Sequence, residues 1–318
     1  MSYPKITLFF ILFSAAMPAQ ENNKPQSFNF IAFGDMPYTL PQDYARFENV
    51  IKTINDQNPV FTLDVGDIKS SSTPCSDEYY TKILGYFQQF KKPLIYIPGD
   101  NEWTDCGKKA AGSYDPEERL DVLRKMFFKS RESFGAEKIK LSSQSKDSTY
   151  SKFVENNRWE YGNILFATVH VVGTNNNFVP VSKNGNKEFY EREKADLAWL
   201  DETFEQAKKK NNSAVVIILH ADMFLGTKDL KEASGFNSFK DKLKDLVAGF
   251  KKPVLLINGD SHTFLVDKPF YVDKTKKNVA NFTRLQVPGE DNMNVVKITV
   301  NPASASLFQF EELMVPGN

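Results

Sequence analysis

The chain has 318 residues, 41% of them hydrophobic and 13% aromatic, with 40 Lys plus Arg matched by 40 Asp plus Glu. Such a chain can bury one large core or two small ones. Its balanced charge supplies no field to hold a polyanion, which argues against nucleic acid and acidic membrane surfaces as partners.

The N-terminus runs from "MSYPK" through the apolar "ITLFFILFSAA" to the small and polar "MPAQENNKPQ". That order is the pattern of a secretory signal peptide, expected over residues 1–19, with 20–318 as the mature domain. The apolar run is short for a membrane span and no later stretch is long and apolar enough to be one. The expected location is therefore secreted or periplasmic, with no transmembrane span after cleavage; an uncleaved anchor is the alternative. Cys75 and Cys106 are the only cysteines, and in an exported chain two cysteines are expected to pair rather than remain free thiols.

Next comes an alternation of β-like and helix-like runs. "FNFIAF" (28–33) precedes "QDYARFENVIKTIND", where Tyr44, Phe47, Val50, Ile51 and Ile54 recur at helical spacing. "PVFTLDV", a helix near "DEYYTKILGYFQQF" and "KPLIYIP" complete a βαβαβ opening of the α/β class. "PEERLDVLRKMFFKSRESF" predicts an amphipathic helix, and polar, turn-rich "SSQSKDSTYSKF" and "GTNNNFVPVSKNGN" flank the strand "NILFATVHVV". Helix "YEREKADLAWLDETFEQAKKK", strand "AVVIIL", helix "FKDKLKDLVAGF" and strand "PVLLIN" restore the alternation. The tail reads as the strands "TFLVD", "NFTRLQV", "NVVKITV" and "SLFQFEE". No linker divides the chain, so one domain is expected.

Gly-Asp occurs four times, in "IAFGDMPY", "TLDVGDIKS", "LIYIPGDNEW" and "LLINGDSH", each time after a β-like run. One such pair is ordinary turn chemistry, since Gly tolerates positive φ and Asp favours turns and helix caps. Four at the carboxyl ends of neighbouring parallel strands would bring carboxylates together and repel, unless cations intervene. Of only three histidines, His220 ends "VVIILH" and His262 follows Asp260 by two, which puts both on the same edge. Asp35, Asp67, Asp100, His220, Asp260 and His262 are accordingly the expected metal ligands, a donor set suited to Mn, Fe, Zn or Mg.

The series of Asp35, Gly-Asp at 66–67, Gly-Asp-Asn-Glu at 99–102, His220 and Gly-Asp-Ser-His at 259–262 resembles the calcineurin-like metallophosphoesterase superfamily. The "GDxPY", "GDIKS", "PGDNEW" and "GDSH" blocks look like those of an exported bacterial subgroup. The resemblance implies a four-layer α/β/β/α sandwich and two divalent ions. Asp35 and His262 would hold the first ion, Asp100 and His220 the second, and Asp67 would bridge them, with Asp260 standing where the family has a histidine. It also implies hydrolysis of a small-molecule or lipid phosphoester by attack of a metal-bound hydroxide; a degenerate member that binds without turnover is the alternative.

Pro37 and Asn101 replace expected histidines, the second being the one that assists the leaving group. Glu102 or His170 would then have to serve instead, although a strand histidine is commonly just packed. The exchange of imidazole for carboxylate at Asp100 and Asp260 favours Mn, Mg or Ca over Zn. Arg284 and Tyr38 are the expected substrate contacts, against a salt bridge and a core aromatic as their plain readings.

Overall fold

The structure, a computed structural model, describes residues 1–2, 26–225, 234–272 and 277–317. Most of the expected signal peptide lies outside the described residues. In chain order the elements are β1 (Phe28–Phe33), α1 (Asp43–Gln57), β2 (Thr62–Asp64), α2 (Asp77–Phe87), β3 (Leu94–Tyr96), α3 (Pro116–Phe127), β4 (Ser142–Ser143), β5 (Asn157–Tyr161) and β6 (Ile164–Thr168). A single turn, α4 (Gly173–Asn176), precedes α5 (Lys187–Lys209), β7 (Ala214–Ile218), α6 (Asn237–Phe250) and β8 (Val254–Asn258). The chain then adds β9 (Leu265–Asp267), β10 (Tyr271–Val272), β11 (Lys277–Asn278), β12 (Phe282–Gln286), β13 (Val295–Val300) and β14 (Phe308–Leu313).

Two sheets result. The first has the order β14-β13-β1-β2-β3, with β1, β2 and β3 mutually parallel. The second has the order β4-β5-β6-β7-β8-β12-β9, with β6, β7, β8 and β12 parallel.

Side-chain alternation along the strands dictates the layering. On β1, Ile31 and Phe33 face a core shared with α1, α2 and α3, whereas Phe30 and Ala32 face the second sheet. On β7, Val215 and Ile217 meet α5 and α6 while Ala214, Val216 and Ile218 face the first sheet. The strands are apolar on both faces because both are covered. The outcome is the expected α/β/β/α sandwich, with Phe30, Phe61, Phe166 and Trp159 among the residues that fill the space between the sheets.

Two local expectations are corrected. The helix expected to reach Phe134 ends at Phe127, since Phe134 leaves to exchange backbone hydrogen bonds with Leu94 at the edge of β3. The strand expected through Val172 ends at Thr168, because the His170 amide turns away to the Asn156 side chain at 2.9 Å.

Cys75 and Cys106 are bonded, with a Cα separation of 5.8 Å across 31 residues. The bridge joins the segments that follow β2 and β3. Breaking it with Cys75→Ser and Cys106→Ser together should cost about 3 to 4 kcal/mol by the chain-entropy relation, read from denaturant unfolding. An unchanged midpoint and slope would show that the unfolded chain gains nothing from the cross-link.

Candidate metal centre

Every Gly-Asp lies where a parallel strand has just ended, and glycine is needed there mainly for close approach. A Cβ on Gly99 would lie 2.6 Å from the Asp67 backbone nitrogen. Positive φ falls on one of the glycines, Gly66 (φ 96°), and on the aspartates Asp35 (φ 56°), Asp67 (φ 56°) and Asp260 (φ 73°), followed by His262 (φ 54°). Such conformations cost an L-residue about 1 kcal/mol or more and persist where surrounding contacts enforce them. Here they aim carboxylates at one another.

Asp35, Asp67 and His262 form one group whose ligand atoms all lie within 4.8 Å, and Asp67, Asp100 and His220 form a second. Asp67 belongs to both. Its Oδ1 lies 3.3 Å from His220 Nε2, and its Oδ2 accepts from the Tyr38 hydroxyl at 2.7 Å and from Asn101 Nδ2 at 2.6 Å. Oδ1 thus faces His220, while Oδ2 is held by Tyr38 and Asn101.

The imidazoles are oriented from behind. His220 Nδ1 lies 2.9 Å from the Val65 carbonyl, which only accepts, so Nδ1 carries the proton and Nε2 faces the carboxylates. His262 Nδ1 lies 2.8 Å from Glu290 Oε2, leaving its Nε2 3.5 Å from Asp35 Oδ1. Such outer partners are what fix a ligand imidazole.

A cation fits these residues. His220 Nε2 and Asp100 Oδ1 lie 3.0 Å apart, yet both are buried without a hydrogen-bond partner among the described residues. Buried polar atoms left unpaired are costly, and a metal ion between them would satisfy both. The donors are carboxylate oxygens and imidazole nitrogens, the set that Mn, Fe, Zn or Mg takes.

Electrostatics agree with the geometry. Burial pushes Asp67 well above the ordinary carboxylate range, and His220 offsets it only in part. Asp100 is held below that range, because His220 and the Thr174 hydroxyl, 2.7 Å from its Oδ2, outweigh burial. Burial opposes the charged form of His220, but Asp67 and Asp100 push its pKa well above the usual value. In His262 the carboxylates of Asp35 and Glu290 likewise overcome burial, raising it to about 9. Without a metal the protons do the neutralising, and a bound cation would displace them.

The remaining expected residues are placed differently. Asp260 Oδ1 stands 3.9 Å from His220 Nε2, outside both close groups, and its Oδ2 accepts from the Asp222 amide at 2.9 Å. Burial raises its pKa to about 6. Glu102 is fully buried, and its Oε1 accepts from the Ile68 amide, the Tyr96 hydroxyl and the Gly99 amide, so it ties the loops together from below. His170 is also fully buried, with Nδ1 2.9 Å from Glu155 Oε1. Arg284 is engaged by Asp267 through two bonds of 2.8 Å and by Asp222 at 2.7 Å. Burial comes first in pushing the Tyr38 hydroxyl well above its ordinary range, followed by the charges of Asp67 and Asp35.

Sequence reasoning missed four supporting residues. Thr174 reaches Asp100 from α4, whose Thr174, Asn175 and Asn176, with the following Asn177, all have φ between 48° and 57°. A run of asparagines is the available signal, since Asn tolerates left-handed backbone. Lys69, buried, donates 2.6 Å to the Asn101 carbonyl; Glu290 orients His262; and Asp222 accepts from Ser261 Oγ at 2.8 Å. None of these three carries a local signal.

The family model of calcineurin-like phosphoesterases matches residues 28–264. No curated protein matches the chain significantly. Among solved structures, a dimetal phosphatase from Danio rerio is 9% identical, with 91% of this chain and 99% of that chain covered at a TM-score of 0.56. Purple acid phosphatase PPD1 from yellow lupin (Lupinus luteus) seeds is 13% identical, with 91% and 52% covered at 0.52. GAP50 of Plasmodium, described as the anchor in the inner membrane complex, is 10% identical, with 91% and 89% covered at 0.51. At these identities the likeness is one of fold.

Proposed function

Since the chain belongs to the calcineurin-like phosphoesterase family, we propose that it is a secreted, metal-dependent hydrolase of small-molecule or lipid phosphate esters. The observation that carries the proposal is Asp67, whose carboxylate belongs to both carboxylate–imidazole groups. In this reading residues 1–19 are the leader and 20–318 one catalytic domain. The Cys75–Cys106 bridge supports an oxidising compartment, and among the described residues no helix is long and apolar enough to cross a membrane.

Asp35 and His262 would hold one divalent ion, Asp100 and His220 a second, and Asp67 both. When bound, such ions supply positive charge toward phosphoryl oxygens and make water nucleophilic at neutral pH. The protein keeps the donors in place. Val65 and Glu290 fix the imidazole tautomers, Thr174 fixes Asp100, and Lys69 fixes the backbone of Asn101. The predominance of carboxylate favours Mn, Mg or Ca over Zn.

Asn101 sets the expected substrate preference. Its Nδ2 donates to Asp67 and to the Tyr38 oxygen, and a carboxamide has no proton to give a departing alkoxide. A leaving-group acid is typically worth 10² to 10⁴ in rate. Aryl phosphoesters, whose leaving groups need no proton, should therefore be turned over at least roughly 100-fold faster than alkyl ones. Steady-state assays of matched aryl and alkyl esters with Mn, Mg, Zn or Ca test this. Equal rates would return the role of acid to a protein group, and no hydrolysis by metal-loaded protein would sink the enzyme reading.

A further inference from the structure

We propose that Thr174, held in place by Arg192, limits Asp100 to one available oxygen and so sets the pocket of Asp67, Asp100 and His220 against Ca²⁺ in favour of Mn²⁺ or Mg²⁺. This rests on the metal-site reading above. The Thr174 hydroxyl donates to Asp100 Oδ2 at 2.7 Å and lies 3.5 Å from Asp105 Oδ1. Both neighbours are carboxylates, which only accept, so the single proton goes to the closer one. Asp100 Oδ1 is the oxygen left over: it is buried without a hydrogen-bond partner among the described residues and lies 3.0 Å from His220 Nε2. Asp67 is limited in the same way, with Oδ1 toward His220 and Oδ2 held by Tyr38 and Asn101. The pocket thus offers one oxygen from each of two carboxylates and one imidazole nitrogen. Ca²⁺ takes about six to eight oxygens and often both from one carboxylate, whereas Mg²⁺ and Mn²⁺ take smaller octahedral sets.

The backbone that carries Thr174 is fixed from both sides. Thr174, Asn175, Asn176 and Asn177 all have φ between 48° and 57°, a left-handed run that L-residues keep only where surrounding contacts enforce it. Arg192, fully buried, supplies those contacts. Its Nη1 donates to the His170 carbonyl at 2.9 Å and to Asn176 Oδ1, its Nη2 donates to the Asn176 carbonyl at 2.9 Å, and Glu188 Oε1 holds its Nε at 2.7 Å. From the other side the Gly235 amide donates to Asn175 Oδ1 at 2.9 Å, and Asn176 Nδ2 donates to the Gly235 carbonyl at 3.2 Å. The turn also closes directly over the pocket: a Cβ on Gly173 would lie 2.4 Å from Asp100 Oδ1 and 2.7 Å from Asp260 Oδ1. Its backbone therefore limits the shell of oxygens that an ion can gather there.

Thr174→Val removes the hydroxyl and keeps the shape, Thr174→Ala removes it without a β-branch in left-handed backbone, and Thr174→Ser keeps it. Each protein is stripped with chelator, checked by thermal melt and titrated by calorimetry with Mn²⁺ and, separately, with Ca²⁺. Wild type should bind Ca²⁺ at least roughly tenfold more weakly than Mn²⁺ at one of two sites, and loss of the hydroxyl should shift that ratio roughly tenfold toward Ca²⁺. Serine should restore the wild-type ratio. A residue that merely stiffens the turn would weaken both ions together and leave the ratio where it was. Equal affinity of wild type for the two ions, an unchanged ratio in a folded hydroxyl-free variant, or a serine variant that behaves like alanine overturns Thr174 as a selectivity residue and leaves the two pockets standing. Wild type that takes up neither ion overturns the pockets themselves.

Discussion

Asp67→Asn should lose at least one of two bound ions and lower kcat/KM by roughly a thousandfold or more, equivalent to about 4 kcal/mol of transition-state stabilisation. The substitution keeps the shape of the side chain and removes the charge shared by the two groups. An amide nitrogen would then point at either His220 or the cluster of Tyr38 and Asn101, and neither position suits a cation. The fold should survive, because burial disfavours the Asp67 carboxylate in the absence of metal. Elemental analysis after purification in Mn-supplemented buffer, paired with thermal melts, separates the cases. A folded variant with full metal content and full activity would refute the bridging role.

Glu155→Gln should destabilise the protein by about 3 to 5 kcal/mol, with a fall in Tm of roughly 5 to 10 °C. Glu155 is fully buried, and its carboxylate receives Arg124 Nη2 at 2.6 Å and His170 Nδ1 at 2.9 Å. Removing one member of a buried pair leaves the other charge without compensation. The damage should extend to the metal centre, since Arg192 ties the His170 carbonyl to Asn176 in the turn that presents Thr174 to Asp100.

The pH dependence of that loss has a definite sign. Burial would raise the Glu155 pKa, but Arg124 and His170 hold it well below the ordinary value. Its stabilisation is complete above the unfolded pKa of about 4.3 and is lost as pH falls through the folded value. The gap between wild type and variant should be widest near neutrality and should narrow in acid. Melts at pH 7 and pH 3 measure it, and a gap independent of pH would mean that Glu155 is not ionised in the folded protein.

The layer order and the turns that bring the carboxylates and imidazoles together were legible because they depend on local pattern. Alternating β-like and helix-like runs mark the strands, and Gly-Asp with His220 and His262 marks their ends. The reason given for the glycines holds at Gly66, whose φ is 96°, whereas at Gly99 close approach matters and the positive φ at the first turn falls on Asp35. Glu102, His170 and Arg284 looked available because sequence shows proximity along the chain and not who else has arrived. In three dimensions the loop amides, Glu155 and Asp267 had already engaged them. Thr174 and Glu290 were invisible for the complementary reason, since they come to Asp100 and His262 from distant segments.

Each ligand group takes its carboxylates from the first sheet and its imidazole from the second, Asp35 and Asp67 with His262, Asp67 and Asp100 with His220. A bound ion would therefore act as a rivet between two slabs, and its bond lengths tolerate errors of only a few tenths of an ångström. The thickness of the filling becomes a tolerance of the chemistry. Phe30, Phe61 and Phe166 form an edge-on and stacked trio with centroids 5.1 to 5.5 Å apart in that filling, so aromatic packing sets the gauge at which the slabs are held. Drift among synonymous-looking hydrophobic residues there would be felt first as detuned metal affinity, before the fold itself gave way.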